Sequence, residues 1–564
     1  MSNNDGAAAP SAVERIKQTS RGLRGTLAEE LASEAPDLSE ASRQLLKFHG
    51  SYEQEDRDVR RQRKAAGLEP AWQFMTRSRI PGGSLTAAQY LAHDALAKQF
   101  GNGTLRVTTR QTIQLHGIIK QDLRNTIRAL NDSLVSTLAT CGDIGRNVTT
   151  CPAPLPGGLR TRALELARAL SDHLLPRTRA YHEIWLDGER LSDQQPEAEP
   201  LYGSGYMPRK FKAALGFADD NCVDLLTNDL GFLVVAERGG LRGLNVLVGG
   251  SLGQTHGKAD TYPRLADALG FTAPEQVLEV ASAVMAVQRD HGNRVDRRQA
   301  RLKYLIDARG LEWFREQVET RLGRRLAPPA DVHVHRVHDH LGWHRQEDGL
   351  WFRGVFVQSG RIRDDDDVHL RTALRRLLET HVNAVHLTPQ QNVLLLGIPA
   401  VRRPDVDGIL ADHGVPAPAE LLPVRRWSMA CPALPTCGLA VAESERVMPG
   451  VLAALESTFT DLGIERERIT VRMTGCPNGC ARPYTAELSF VGRSLGKYVV
   501  MVGGNAEGTR LARKYRDLVP LDDLVDTVRP LLQQWRDGRR AGEAFGDFWD
   551  RVGLDAASLV DVAP

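Results

Sequence analysis

The chain has 564 residues, 42% of them hydrophobic and 25% charged, which is the composition of folded rather than disordered protein. Its 72 basic and 70 acidic residues leave a formal net charge of +2, so global nucleic-acid binding is excluded and any working basic patch must be local. No apolar run in Met1–Ser20 resembles a signal peptide and no stretch approaches a membrane span, so the expectation is a cytoplasmic protein with neither membrane nor nucleic-acid partner.

In chain order, residues 1–20 are predicted to be a disordered tail. A charged segment to Leu68 follows, in which Asp56–Arg63 reads as a solvated helix face. Phe74–Gly83 predicts a strand ending in a Pro-Gly-Gly turn, and Thr86–Phe100 a helix. Thr104–Ile118 alternates like a strand, with Leu105, Val107, Ile113 and Leu115 apolar and Arg106, Arg110, Gln114 and His116 between or beside them. This β-α-β order predicts an α/β or α+β unit.

The unit recurs. Leu105–Ile118 aligns without gaps to Val385–Ile398, and Cys151-Pro-Ala153 matches Cys431-Pro-Ala433 at the same offset (385 − 105 and 431 − 151, both 280). A shared offset on two motifs predicts an internally duplicated chain with pseudo-two-fold symmetry. Arg106, Arg110, Gln114 and His116 become His386, Gln390, Leu394 and Leu396, so the first copy carries cations and amides where the second is mostly apolar. Cys437 partners Cys431 in the second copy and has no counterpart in the first.

Between the copies, Tyr206–Lys212 contains Lys210 and Lys212, which point to one side if the segment is extended. Two adjacent ammonium groups repel unless an anion lies between them. Leu247–Gly253 lacks the dinucleotide-binding glycine spacing and is echoed at Met501–Gly504, which predicts a repeated structural turn. No nicotinamide or flavin site is expected. Amphipathic helices are predicted around Leu521–Gln534.

Four of the seven cysteines stand as Cys431-Pro-Ala-Leu-Pro-Thr-Cys437 and Cys476-Pro-Asn-Gly-Cys480. Soft thiolates at this spacing suit an iron–sulfur cluster or zinc, although the five-residue gap is wide for structural zinc. A reducing compartment disfavours disulfides. Cys141, Cys151 and Cys222 read as small core or loop residues.

The pair of cysteine motifs resembles the signature of sirohaem-dependent sulfite and nitrite reductases, and Leu46–Gly50 with the run after it is similar to the bacterial assimilatory sulfite reductase haemoprotein. The resemblance implies a three-domain sulfite reductase haemoprotein fold. Its expected divisions are an N-terminal arm (1–68), a ferredoxin-like half (69–140), a sirohaem and substrate domain (141–342), a second half (343–420) and a cluster domain (421–564). It implies a 4Fe-4S cluster on Cys431, Cys437, Cys476 and Cys480, with Cys480 bridging to sirohaem iron. Sulfite is the implied substrate, with Arg79, Arg146, Lys210 and Lys212 as its cations. Arg106, Arg110, Gln114, Asn147, Lys303, Asn478 and Arg482 are expected to hold sirohaem, whose eight carboxylates demand buried cations and donors. Electrons are expected from an NADPH-dependent flavoprotein or a ferredoxin. The nearest alternative is a ferredoxin-dependent nitrite reductase; Lys212, where related nitrite reductases tend to carry Asn, favours sulfite. A zinc-ribbon binding protein is the alternative of a different class.

Overall fold

The computed structural model describes residues 9–177, 185–186, 189–190 and 199–554. The first eight residues of the predicted tail and residues 555–564 of the last predicted segment lie outside the described residues. The remainder of the predicted tail is not disordered: Ala12–Gln18 is a helix. Its Lys17 is buried, donates to the Met207 carbonyl at 2.7 Å, and lies 3.5 Å from the Asp143 carboxylate. Charged residues that read as solvent-facing are here ion-paired inside, a pairing that no local pattern reveals.

Two five-stranded sheets carry the repeat, and each borrows a strand from the other half. The first runs Ser51–Glu55, Trp72–Arg77, Ile113–Ile118, Leu105–Val107 and Arg361–Ile362; the second runs Gly342–Arg345, Trp351–Val355, Val393–Ile398, Ala384–Leu387 and Ser84–Thr86. The stretch predicted as one strand over Thr104–Ile118 is a hairpin. Thr108–Thr112 forms the turn, with Gln111 at φ 53°, and this places Arg110 at the hairpin tip. The predicted helix is Ala87–Gln99, started by a Thr86 capping box with Gln89 that satisfies its first free N–H groups.

Two further sheets repeat at the same level. One orders Asp267–Thr272, Gly240–Val248, Leu230–Glu237 and Ala213–Gly216; the other orders Ser428–Ala430, Val471–Thr474, Leu488–Ser494, Lys497–Val502 and Arg513–Pro520. In both, a parallel strand pair is joined by a long loop. Ala213 pairs with Leu230 in one, and Val471 with Leu488 in the other. The isolated parallel bridge Thr149↔Ala214 matches Met429↔Arg472. The duplication therefore extends through both halves of the chain.

The glycine turns predicted at Leu247–Gly253 and Met501–Gly504 are structural. A Cβ on Gly250 would come within 2.0 Å of the Leu226 carbonyl, and one on Gly504 within 2.3 Å of the Ala486 carbonyl. The amphipathic helix is Leu524–Gly538, whose Leu524, Val528, Leu531, Leu532 and Trp535 enter a C-terminal core with Phe545 and Trp549. Among the described residues no helix is long and apolar enough to cross a membrane.

Candidate active site and cluster loops

The hairpin tip, the segment before Ala213–Gly216, the loops after Thr227 and Val248, and the Asn478–Arg482 loop converge on one cavity. It is lined by Arg110, Lys210, Lys212, Arg301, Asn478, Cys480 and Arg482, with Thr109, Asn228 and Gly253. The two lysines do share a face, as the extended reading predicts.

This wall is strongly cationic. Burial, then the charges of Lys212, Arg209 and Arg301, holds the Lys210 pKa well below its ordinary value. Burial with Arg301 and Arg110 lowers Lys212 to about 7. Arg110 is brought to about 9 mainly by burial; it donates to Asn228 Oδ1 at 2.6 Å and the Ala213 carbonyl at 2.8 Å. Arg301 makes a two-pronged ion pair with Asp229 (3.1 and 2.8 Å), whose Oδ2 also accepts the Lys212 N–H at 2.8 Å. One carboxylate thus fixes two elements of the wall.

Arg482 sits at φ 57° and its guanidinium donates to the Cys222 carbonyl at 3.0 Å and the Pro389 carbonyl at 2.8 Å, with Asp224 at 2.9 Å. Lys303 lies behind the wall, donating to the Ser251 and Gly253 carbonyls and to that of Tyr262. Arg106 is buried against Glu445 at 3.0 Å and donates to the Ala430 carbonyl, just before Cys431, at 2.7 Å. Gln114 Nε2 meets Met75 Sδ at 3.4 Å. Asn147 is held by the Ile80 backbone and the Arg110 carbonyl.

Two expected substrate cations stand apart from the cavity lining. Arg79 donates to Ser171 Oγ and the Ser171 and Ala139 carbonyls at 2.7–3.1 Å. Arg146 is folded onto the Thr140 and Gly142 carbonyls at 2.8–3.0 Å. Both stiffen the 139–146 loop. The sequence reading missed Arg301, whose role depends on Asp229, and Arg77. Burial opposes the Arg77 charge, but Cys141, Tyr52, Cys480 and Cys437 around it raise its pKa above the ordinary value. It also missed Arg57, which holds the Cys437 and Ala440 carbonyls at 3.2 and 2.8 Å. Nothing in the 56–63 charge run distinguishes Arg57 from its exposed neighbours.

Cys431 and Cys476 are buried, Cys437 is half-buried, and the exposed Cys480 alone among them lines the cavity. Burial and then the Cys480 thiol push Cys431 far up, and Cys476 up to about 12. Gly475 N–H donates to Cys431 Sγ at 3.3 Å, and Thr109 Oγ1 donates to the Cys480 carbonyl at 3.0 Å. A Cβ on Gly475 would meet Ala433 Cβ at 2.5 Å, so the two loops close only over glycine. Among the described residues, the donor set closed to within 4.8 Å for a single ion is a different one, Cys151, Asp220, Cys222 and His340. The motif cysteines are not part of that closed set, and their five-residue gap is wide for structural zinc. Four soft thiolates fit a polynuclear iron–sulfur cluster.

A polycarboxylate fits the cationic wall for an independent reason. The buried Nε atoms of Arg110 and Arg482, both residues of the cavity lining, have no hydrogen-bond partner among the described residues. Orphaned buried donors are costly unless an acceptor arrives.

The family description "Nitrite/Sulfite reductase ferredoxin-like half domain" matches residues 70–133 and 344–413, and "Nitrite and sulphite reductase 4Fe-4S domain" matches 166–326. The chain is 46% identical to the sulfite reductase (NADPH) hemoprotein beta-component of Geobacillus kaustophilus, over 97% of this chain and 96% of that one. The chain belongs to the nitrite and sulfite reductase family. The corresponding beta-component of Acidithiobacillus ferrooxidans is 47% identical over 98% of both chains. Among solved structures, the NirA protein of Mycobacterium tuberculosis superposes with a TM-score of 0.79 at 27% identity, covering 97% of each chain. The fold is thus the duplicated reductase fold of this family. The 166–326 match contains Lys210, Lys212, Arg301 and Lys303, whereas the four motif cysteines lie beyond it.

Proposed function

We propose that this chain is the sirohaem-carrying subunit of an assimilatory sulfite reductase, taking sulfite to sulfide with six electrons delivered from NADPH by a flavoprotein partner. The observation that carries the reading is a single cavity in which Cys480 stands among Lys210, Lys212, Arg110 and Arg301. When bound, sirohaem coupled to a 4Fe-4S cluster supplies the electrons and the iron at which the oxyanion is reduced. Cys431, Cys437, Cys476 and Cys480 would hold the cluster, with Cys480 positioned to be shared between the two groups.

Arg106, Arg110 and Arg482 would grip sirohaem carboxylates, because a planar fork matches a carboxylate and stays charged when buried. Gln114, Asn147, Asn478 and Lys303 would complete its cradle. Lys210 and Lys212 bind the substrate anion. Lys212, lowered to about 7, both attracts the anion and gives up a proton at neutral pH, which each departing oxygen requires to leave as water. Arg79 and Arg146 are both tied to carbonyls of the 139–146 loop and reach the substrate only by exchanging those partners. The reading includes the divisions at 68, 140, 342 and 420, which the half-domain matches at 70–133 and 344–413 support. It also places the enzyme in the cytoplasm.

The test is steady-state turnover of the purified holoenzyme with sulfite and with nitrite, using an NADPH flavoprotein or reduced ferredoxin. Sulfide formation with the flavoprotein, at higher kcat/KM than nitrite reduction, is the expected result. Preference for nitrite, or turnover with ferredoxin alone, overturns it.

A further inference from the structure

Cys151 and Cys222 were read from sequence as small core or loop residues; the structure draws them together with Asp220 and His340. All four donor atoms lie within 4.8 Å of one another. Cys151 Sγ is 2.9 Å from Asp220 Oδ2 and 3.4 Å from His340 Nε2, and His340 Nε2 is 2.8 Å from Asp220 Oδ2. None of the four residues is more than 2% exposed. Substrate cannot reach them, so they are not a second catalytic centre.

Their place in the fold is specific. The step that takes Thr149 to Met429 in the matching bridges takes Cys151 to Cys431. The step that takes Ala213 to Val471 and Leu230 to Leu488 in the matching strand pairs takes Cys222 to Cys480 and Asp220 to Asn478. The first half therefore carries two thiols where the second half carries two expected cluster ligands. His340 arrives from the linker into the second half, in the left-handed region at φ 56°. Its carbonyl would lie 1.8 Å from a Cβ on Gly354, so a glycine is required beneath it.

We infer that Cys151, Cys222, His340 and Asp220 form a closed structural site for a zinc-type divalent cation. Two sulfurs, an imidazole nitrogen and a carboxylate oxygen are a four-coordinate zinc donor set. Tetrahedral zinc places such atoms about 3.3–3.8 Å apart; the 2.8–3.4 Å contacts among Cys151, Asp220 and His340 must open by up to about 0.7 Å to admit it, and Cys222 Sγ already lies within 4.8 Å of all three. The bound set, two thiolates, a neutral imidazole, a carboxylate and a dication, carries a net charge of −1, which Arg160 is placed to balance. Arg160 lies 4.0 Å from Asp220 Oδ2 and stacks over Phe217 at 4.6 Å. The other carboxylate oxygen, Asp220 Oδ1, accepts the backbone N–H groups of Cys222 and His338, both at 3.2 Å, and so holds the ligand in orientation.

The cation ties together three segments: the loop after the first repeat, the 217–229 loop, and the linker to the second repeat. Because the Cys222 carbonyl accepts from Arg482, it also anchors one side of the cationic cavity. The inference does not depend on the proposed reaction.

The test is elemental analysis and zinc K-edge absorption of the holoenzyme, purified without chelator from zinc-sufficient medium. The expected result is about one zinc per chain beyond the iron, with two sulfur and two nitrogen or oxygen neighbours. Cys222→Ser and His340→Ala should each lower zinc at least tenfold while iron and acid-labile sulfide stay at wild-type levels. Wild-type protein with less than about a tenth of a zinc per chain, zinc with four sulfur neighbours, or iron in this position would each overturn the assignment. The wild-type measurement decides the matter even if a variant fails to fold.

Discussion

Replacing Lys212 separates two roles that one ammonium can play, charge and proton donation. Its neighbours in the cavity are cations, Arg110 and Arg301, with Asp229 committed to Arg301 and to the Lys212 backbone. An incoming oxyanion therefore finds Lys212 uncompensated. A hydrogen bond to a charged group is worth about 1.5–3 kcal/mol. Lys212→Met should then lower kcat/KM for sulfite about 10- to 150-fold. Lys212→Arg keeps the charge but cannot lose a proton near neutrality, so it should restore KM while leaving kcat depressed. The pH profile supplies the second readout. The lysine is brought down to about 7, so its charge is present below that pH and lost above it. Wild-type kcat/KM should fall as pH rises through about 7, and the Arg variant should lack that limb. Nitrite, a monoanion throughout this range, serves as the control ligand. A loss below threefold in Lys212→Met, or full recovery of kcat in Lys212→Arg, would refute the assignment.

Cys480→Ser should remove the cluster and the spectroscopic coupling between the two iron centres; normal optical and electron paramagnetic spectra would contradict its bridging role. Glu445→Gln leaves the buried Arg106 without its 3.0 Å partner and should cost about 3–5 kcal/mol, read from urea midpoints; a change below about 1 kcal/mol would show that the pair is dispensable. His93 is buried and neutral, its Nδ1–H donating to the Gln89 carbonyl and its Nε2 accepting from Ser78 Oγ, both at 2.6 Å. Burial lowers it from 6.5 to about 4, so below pH 6.5 the unfolded chain binds a proton that the folded chain refuses. Stability should fall as pH drops from about 6.5 to about 4, by about 3 kcal/mol from this residue, and His93→Gln should flatten that slope; an unchanged slope would refute it.

The duplication was legible because one offset links two motifs, and the lysine pair because extended backbone alternates sides. The hairpin over residues 105–118 was not, since Val107 and Ile113 keep the apolar alternation on both sides of the Thr108–Thr112 turn. Arg301 was hidden for a different reason. Its place is fixed by Asp229, 72 residues away, and not by its own neighbours. Arg79 and Arg146 were singled out as cations, but the sequence could not show that their guanidinium groups are occupied by backbone carbonyls.

Cys222 is the most instructive omission. Cys151 finds Cys431 at the 280-residue offset of the repeat, but Cys222 finds Cys480 only at the different step that the strand pairs reveal. A comparison at one offset pairs the first thiol and misses the second, so the first half looks as though it has lost its ligand set. With both steps in hand, both halves gather thiols, and the first half adds a carboxylate and an imidazole to them. In the first half, Asp220 and His340 join the two thiols in a set closed to within 4.8 Å. In the second, Asn478 replaces the carboxylate, Gly475 lets the two cysteine loops close on each other, and Cys437 and Cys476 bring the thiols to four. Arg482 touches both, donating to the Cys222 carbonyl while lining the cavity with Cys480. Loss of the first-half site should therefore register at the cavity wall as a change in how Arg482 is held, before it registers in the global stability of the fold.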